Sequence, residues 1–203
     1  MTRIPVFIDF DDTLFDTAAF KREINQTFLN LGYTEKQVKQ AYLDVRARGY
    51  TIEKQLERLE KITGKECDRA VTGVILEKLK EKIEDFLFPE SLDFIKGVDQ
   101  SFYESYLLSF GNADFQLWKI KEAGLEQFFD EDHIKIVEHE GKAKELLDLV
   151  KDKKFFAVID NNEVEIAFAK AVFGKRVETF LVKDRNLVAA GDFLVQKSQE
   201  QDN

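Results

Sequence analysis

The sequence predicts an α/β fold, a doubly wound parallel sheet interrupted after its first strand by an all-helical insertion. Three observations predict it. A short apolar run, Val6 to Ile8, stands near the start of the chain. The following stretch, roughly 80 residues long, carries helical spacing and almost no strand signal. From Tyr103 onward apolar runs and amphipathic helices alternate, which means parallel strands joined by crossovers.

Taken in order, Val6 to Ile8 reads as a buried strand led by Pro5, a residue tolerated at a strand's first position. Phe20, Ile24, Phe28 and Leu31 then share one helical face, and Gly32 stops that helix. Thr34-x-x-Gln37 is a capping box opening a helix with Val38, Tyr42 and Val45 inward. Ile52, Leu56, Leu59 and Ile62 keep the spacing up to Thr63-Gly64. Val71, Val74 or Ile75, Leu79, Ile83 and Phe86 predict one longer helix that Pro89 closes. A helical subdomain is therefore expected at 17–96, with 1–16 and 97–203 forming the sheet domain.

Downstream, "YESYLLSF" is a strand ending at Gly111-Asn112, and "ADFQLWKIKEAGL" a helix closed by Gly124. "HIKIVEH", "FFAVID" and "VETFLV" read as strands, with "KAKELLDLV" and "EVEIAFAKAVFG" as the helices between them. "DFLVQ" reads as a last short strand.

Composition bounds the function. With 203 residues, 44% of them hydrophobic and 19 phenylalanines, the chain can bury a core for one domain and an insertion. Two prolines, ten glycines and no low-complexity segment argue against disorder. A net charge of −9 and a pI near 4.9 disfavour nucleic acid and anionic membrane as partners. A small anionic substrate needs a locally positive pocket, which a metal would supply. Cys67 permits no internal disulfide and no zinc site by itself, and reads as inert. "MTRIPVF" lacks the apolar stretch of a signal peptide, and no run of about 18 apolar residues occurs, so the expected location is the cytoplasm.

Ligands of open parallel sheets bind beyond the carboxyl ends of the strands. Three strand ends carry polar groups: Asp9-Phe10-Asp11-Asp12-Thr13, Ser109, and Asp160-Asn161-Asn162. Lys142 opens the helix before the last of these. Asp9 and Asp160, with no His or Cys nearby, form an all-oxygen set that suits Mg2+. A lysine and a hydroxyl complete a cradle for a tetrahedral dianion.

These segments carry a resemblance. "VFIDFDDTL" resembles motif I of the haloacid dehalogenase superfamily, an apolar strand followed by Asp-x-Asp-x-Thr, and "YLLSFGN" resembles motif II. Lys142 in "EGKAKEL" is similar to the motif III lysine, and "FFAVIDNNEVE" to motif IV. The phrase "AGLEQFFDEDHI" has the family's look too, and the insertion after motif I fits a helical C1-type cap on a Rossmann-like core. The resemblance implies a Mg2+-dependent phosphatase acting on a small phosphorylated metabolite. Asp9 would be the nucleophile and Asp11 the general acid and base, with a pKa above that of metal-bound Asp9. Ser109 and Lys142 would bind phosphoryl oxygens; Asp9, the Asp11 main-chain carbonyl and Asp160 would hold the metal. A sugar phosphomutase is the nearest alternative, and a catalytically weak binding or regulatory protein another. Family dehalogenases lack an acid at the Asp11 position and family ATPases place Thr there, so this acid fits phosphatases and phosphomutases. One departure stands out: motif IV has Asn161 where a second acid is common, and Glu165, or else Glu163, would supply it.

Other residues have plainer readings. His133 and His139 flank a strand as surface or structural groups, and Asp12 caps the turn after the first strand. Lys144 competes with Lys142 for the motif III role. Arg46, Arg48 and Tyr50 could reach a leaving group, but a solvated helix end accounts for them as well.

Overall fold

The computed structural model describes residues 3–66, 68–99, 102–139 and 141–201; Cys67 lies outside them. Strand β1 (Ile4–Ile8) occupies the centre of a five-stranded sheet with β2 (Tyr103–Phe110), β3 (Ile134–Val137), β4 (Phe156–Asp160) and β5 (Val177–Leu181). The order is β3-β2-β1-β4-β5 and every pairing is parallel. Leaving β1, the chain builds one half of the sheet and then crosses back to build the other. The carboxyl ends of β1 and β4 thus meet at the switch point, where such sheets bind ligands.

Side chains alternate across the sheet with the period of a strand. Phe7, Leu108 and Val158 face one layer, where they pack with Leu146 of α7 (Lys142–Leu149) and with Ile166 and Phe173 of α8 (Glu163–Phe173). Val6, Ile8, Leu107 and Ile159 face the other, with Phe94 of α5 (Ser91–Asp99), Ile120 of α6 (Ala113–Glu122) and Leu194 of α9 (Leu187–Gln201). This second core continues into the insertion through Phe10, Leu14, Phe15 and Phe20, all buried. Each such side chain removed from water contributes about 1.5–3 kcal/mol, so insertion and sheet share one apolar interior.

The insertion comprises α1 (Thr17–Asn30), α2 (Glu35–Arg46), α3 (Ile52–Thr63) and α4 (Ala70–Lys80). The Thr34–Gln37 capping box forms as the sequence implies: the Gln37 N–H donates to Thr34 Oγ1 and the Thr34 N–H to Gln37 Oε1. Gly64 ends α3 in the left-handed region at φ 69°. Phe20, Ile24 and Phe28 are buried as expected, but Leu31 lies past the helix end and is exposed. The longer helix expected up to Pro89 breaks after Lys80, and Ile83–Phe86 forms only a 3-10 turn. Beyond that turn the chain must run extended, because Leu87 bridges Phe15 and the Phe88 N–H donates to the Leu14 carbonyl at 2.9 Å. Of the two alternatives in α4, Ile75 is buried and Val74 exposed.

The expected last strand, "DFLVQ", lies inside α9. Buried Leu187, Ala190 and Leu194 recur at helical spacing, and it is this face that packs beside α5. Helix α5, which the apolar pattern did not reveal, packs on β2 and α9. Among the described residues no helix is long and apolar enough to cross a membrane.

Candidate active site

The carboxyl end of β1 turns sharply. Phe10 is wholly buried, and its carbonyl accepts N–H groups from Thr13, Leu14 and Phe15, so the chain coils around one anchored residue. Asp9 and Asp11 therefore emerge on either side of Phe10. Asp12 takes a φ of 60° in this turn and is exposed, while Asp16 caps α1 by accepting the Ala19 N–H.

Asp9 is almost fully buried. Thr13 Oγ1 donates to its Oδ2 at 2.9 Å, and the Lys142 ammonium donates to its Oδ1. The same ammonium donates to Asp160 Oδ2 at 2.8 Å, so Lys142 bridges the carboxylates that end β1 and β4. Asp160 Oδ1 accepts the Asn162 N–H at 2.8 Å. Asn161 ties its loop to β1 by donating its N–H to Thr13 Oγ1 at 3.1 Å. Lys144 is exposed, so Lys142 alone of the two occupies this place.

Glu165 is half-buried, and its Oε1 would lie 3.7 Å from a Cβ added at Gly141, just before Lys142. Glu163 lines the same cavity but is exposed and lies 3.2 Å from Lys183. Of the two acids, Glu165 is the one whose charge Lys142 and Asp160 act on. Ser109 is fully buried, and its hydroxyl has no hydrogen-bond partner among the described residues. A buried hydroxyl left unpaired costs about 1–3 kcal/mol, which suits a group held ready for a ligand.

Asp11 has a different environment. Thr17 Oγ1 and Lys119 Nζ both donate to Oδ1, and Gln116 Nε2 to Oδ2, each at 2.6 Å. Lys119 is buried, and its ammonium lies 5.0 Å from the Phe10 ring centroid and 5.3 Å from that of Phe15. Phe20 and Phe115 complete a ring of aromatic faces around it. Gln116 and Lys119 were not singled out in the sequence. Their signal was two polar groups three apart on a face of α6 that otherwise buries Ile120 and Ala123.

These surroundings separate the acids. Burial pushes the Asp9 carboxyl up to about 7; Lys142 opposes the rise, and Asp160 and Asp11 add to it. Burial would raise Asp11 too, but the charge of Lys119 and hydrogen bonds from Lys119, Thr17 and Gln116 hold it below the ordinary range. The order expected of a metal-bound site, Asp11 above Asp9, concerns a site with the ion in place; from the protein groups alone Asp9 stands above Asp11. Burial works against the charge on Lys142, yet Asp9 and Asp160 more than offset it and raise its pKa. Glu165 is raised by burial, with Lys142 opposing.

Two cavities meet here. One of about 630 Å3 opens over Asp9, Lys142, Asp160, Asn161 and Glu165. A second, of about 150 Å3, lies beneath the insertion between α1, α2 and α6. Asp11 and Phe110 line both. Elsewhere, Asp130, Asp132 and His133 bring ligand atoms within 4.8 Å of one another, but at the start of β3, away from the carboxyl ends of the strands. His133 stacks on Tyr106 there at 4.0 Å, the structural part expected of it.

No sequence family and no curated protein matches the chain. Solved structures do. A haloacid dehalogenase-like hydrolase from Burkholderia xenovorans LB400 superposes with a TM-score of 0.71 at 18% identity, over 89% of this chain and 82% of the other. The HAD-hydrolase YfnB from Bacillus subtilis, bound to magnesium, gives 0.57 at 16% identity over 90% and 89%. L-2-haloacid dehalogenase from Xanthobacter autotrophicus gives 0.54 at 16% identity over 90% and 78%. Likeness at these identities speaks to architecture, and the fold of this chain is that of the haloacid dehalogenase-like hydrolases.

Proposed function

We propose that the protein is a haloacid dehalogenase superfamily phosphatase that hydrolyses a small phosphomonoester through an aspartyl-phosphate on Asp9, with Mg2+ as cofactor. The observation that carries this reading is the Asp9–Lys142–Asp160 cluster at the sheet's switch point, with a second acid, Asp11, where the two cavities join.

The donor set fits a magnesium ion. Asp9 and Asp160 offer carboxylate oxygens, and the Asp11 carbonyl accepts no backbone hydrogen bond among the described residues. One lysine leaves the buried acids short of positive charge, as the raised Asp9 pKa reflects. Bound there, the ion would neutralise Asp9 and the phosphoryl oxygens. The Bacillus subtilis neighbour, which is bound to magnesium, supports this assignment.

In the first step an Asp9 oxygen attacks phosphorus, and the bond from phosphorus to the ester oxygen breaks. Asp11 gives its proton to that departing oxygen. Lys142 and the Ser109 hydroxyl hold phosphoryl oxygens during the transfer. In the second step water attacks the phosphorus of the acylphosphate, Asp11 takes the water's proton, and the Asp9 carboxylate is restored. Asp11 as it stands, ionised by Lys119, suits this second step. For the first it must hold a proton, so substrate entry has to loosen the Lys119 and Gln116 contacts. The helical insertion acts as a cap over the smaller cavity, excluding bulk water and contacting the leaving group.

Dehalogenation is disfavoured although a dehalogenase shares the fold, because Asp11 has no part in that chemistry as the family resemblance describes it. A panel of phosphomonoesters incubated with and without Mg2+, reading free phosphate, tests the proposal. Release that requires Mg2+ supports it. Phosphoryl return to a sugar substrate would make the protein a mutase, and no release from any ester would refute the reading.

A further inference from the structure

The smaller cavity differs in charge from the molecule around it. The chain carries 30 basic against 39 acidic residues. Yet Lys21, Arg46 and Lys119 line this one cavity, with Asp11 as its one acid. Lys119 is neutralised by Asp11 at 2.6 Å. Lys21 is close enough to Asp12 to feel its charge, but among the described residues neither Lys21 nor Arg46 has a carboxylate at ion-pair distance. Two cations stand, without an ion pair among the described residues, beside an acid placed to protonate a leaving group.

Helix geometry explains how they meet. Thr17 and Lys21 are four residues apart on α1, so the face that holds Asp11 also presents Lys21 to the cavity. Tyr42 and Arg46 are four apart on α2. The Lys21 ammonium lies 4.4 Å from the Tyr42 ring centroid, which brings the two helices' cavity faces together. A cation in the last turn of α2 also suits the helix dipole, but that accounts for neither Lys21 nor the shared cavity. At about 150 Å3 the space matches a void that admits benzene, so a leaving group of about six non-hydrogen atoms fills it.

We propose that the leaving group carries its own carboxylate, that the substrate is a phosphorylated short-chain hydroxy acid, and that Lys21 and Arg46 select it. This rests on the phosphatase reading for which end of the substrate reacts, and its test is arranged to fail separately.

The probes are 3-phosphoglycerate and glycerol 1-phosphate, which share a skeleton and differ by carboxylate against hydroxymethyl. Calorimetric titration with Mg2+ into the Asp9→Asn variant measures binding without turnover. Charge-assisted hydrogen bonds from two partly solvated cations should make the acid bind about tenfold tighter. Lys21→Gln and Arg46→Gln, combined, should bring the ratio to about one; using a ratio cancels any general loss of fold. Equal binding of the two esters, no binding of the acid, or a preference that survives the double substitution would overturn the inference. Wild-type protein that hydrolyses both esters with equal kcat/KM would keep the phosphatase and discard the hydroxy-acid selection. Selective binding without phosphate release would do the reverse.

Discussion

Asp9→Asn tests the electrostatics of the site without any appeal to catalysis. With no metal bound, burial and Asp160, outweighing Lys142, push the Asp9 carboxyl up to about 7 from the 3.8 of an exposed chain. A carboxyl whose pKa is raised by folding binds its proton more tightly in the native state. Stability therefore falls as pH rises from about 4 through about 7. Each unit in that window costs about 1.4 kcal/mol. Allowing for partial ionisation at both ends, the wild type loses about 2–3 kcal/mol between pH 5 and pH 8 from this group alone. An asparagine has no such term. Urea unfolding of both proteins at pH 5 and pH 8 should thus show the variant gaining that amount on the wild type. Saturating Mg2+ should then stabilise the wild type more than the variant, because only the wild type offers a carboxylate at position 9. Parallel stability curves for the two chelated proteins would refute the claim that Asp9 is an undercompensated buried acid.

Three further substitutions separate roles. Asp11→Asn should lower the rate of phosphate release by ~10²–10⁴-fold, the usual range for a general acid and base; a near-wild-type rate across pH would assign that role elsewhere. Ser109→Ala removes a buried hydroxyl with no partner among the described residues, so relief of its desolvation cost should raise the unfolding free energy by up to about 1–3 kcal/mol, while KM for the phosphoester rises severalfold. Lys119→Met removes one partner of a largely buried pair. With the Asp11 side chain 26% exposed, the loss should be about 2 kcal/mol at pH 7, below the range for a fully buried pair. Because folding lowers the Asp11 pKa, the stability it gives exists above about pH 4 and disappears in stronger acid, so the Lys119→Met deficit should narrow there.

Much of this architecture was legible because the signals were local. The strand at Val6–Ile8, the Thr34–Gln37 capping box and the Gly64 stop each involve groups a few residues apart. The errors arose where distant partners decide. Nothing between Val71 and Phe86 announces that Leu87 must run extended beside Phe15, 72 positions away (87 − 15), so the helix expected up to Pro89 could not have been continuous. "DFLVQ" alternates like a strand over five residues, and only the wider spacing of Leu187, Ala190 and Leu194 reveals the helix. The same division runs through the site. The Asp9, Lys142 and Asp160 convergence follows from strand order, since all three stand where a parallel sheet must bring its carboxyl ends together. The clamp on Asp11 does not, because Gln116 and Lys119 reach it across more than a hundred residues of sequence from the flank of a helix.

The residue between the two acids has a part of its own. Phe10 interrupts a run of carboxylates, and the structure gives the physical reason. Its ring stacks on Phe15 at 4.9 Å inside the core, and its carbonyl gathers three N–H groups of the following turn. With Phe10 held at both ring and carbonyl, Asp9 must stay with the sheet beside Lys142, and Asp11 is delivered past the turn to Thr17, Gln116 and Lys119. Two like charges one residue apart would otherwise share an environment and raise each other's pKa. Here Asp9 lines the larger cavity, while Asp11 stands where the larger and the smaller one meet. Phe10→Ala should therefore cost more than the ~3–5 kcal/mol-scale stability of a truncated core ring. By freeing the turn it should also blunt the difference between Asp9 and Asp11, so that their titrations, followed by carboxyl carbon NMR, draw together. Separate titrations that persist in a folded Phe10→Ala protein would show that the donors around each acid, and not the anchored turn, keep them apart.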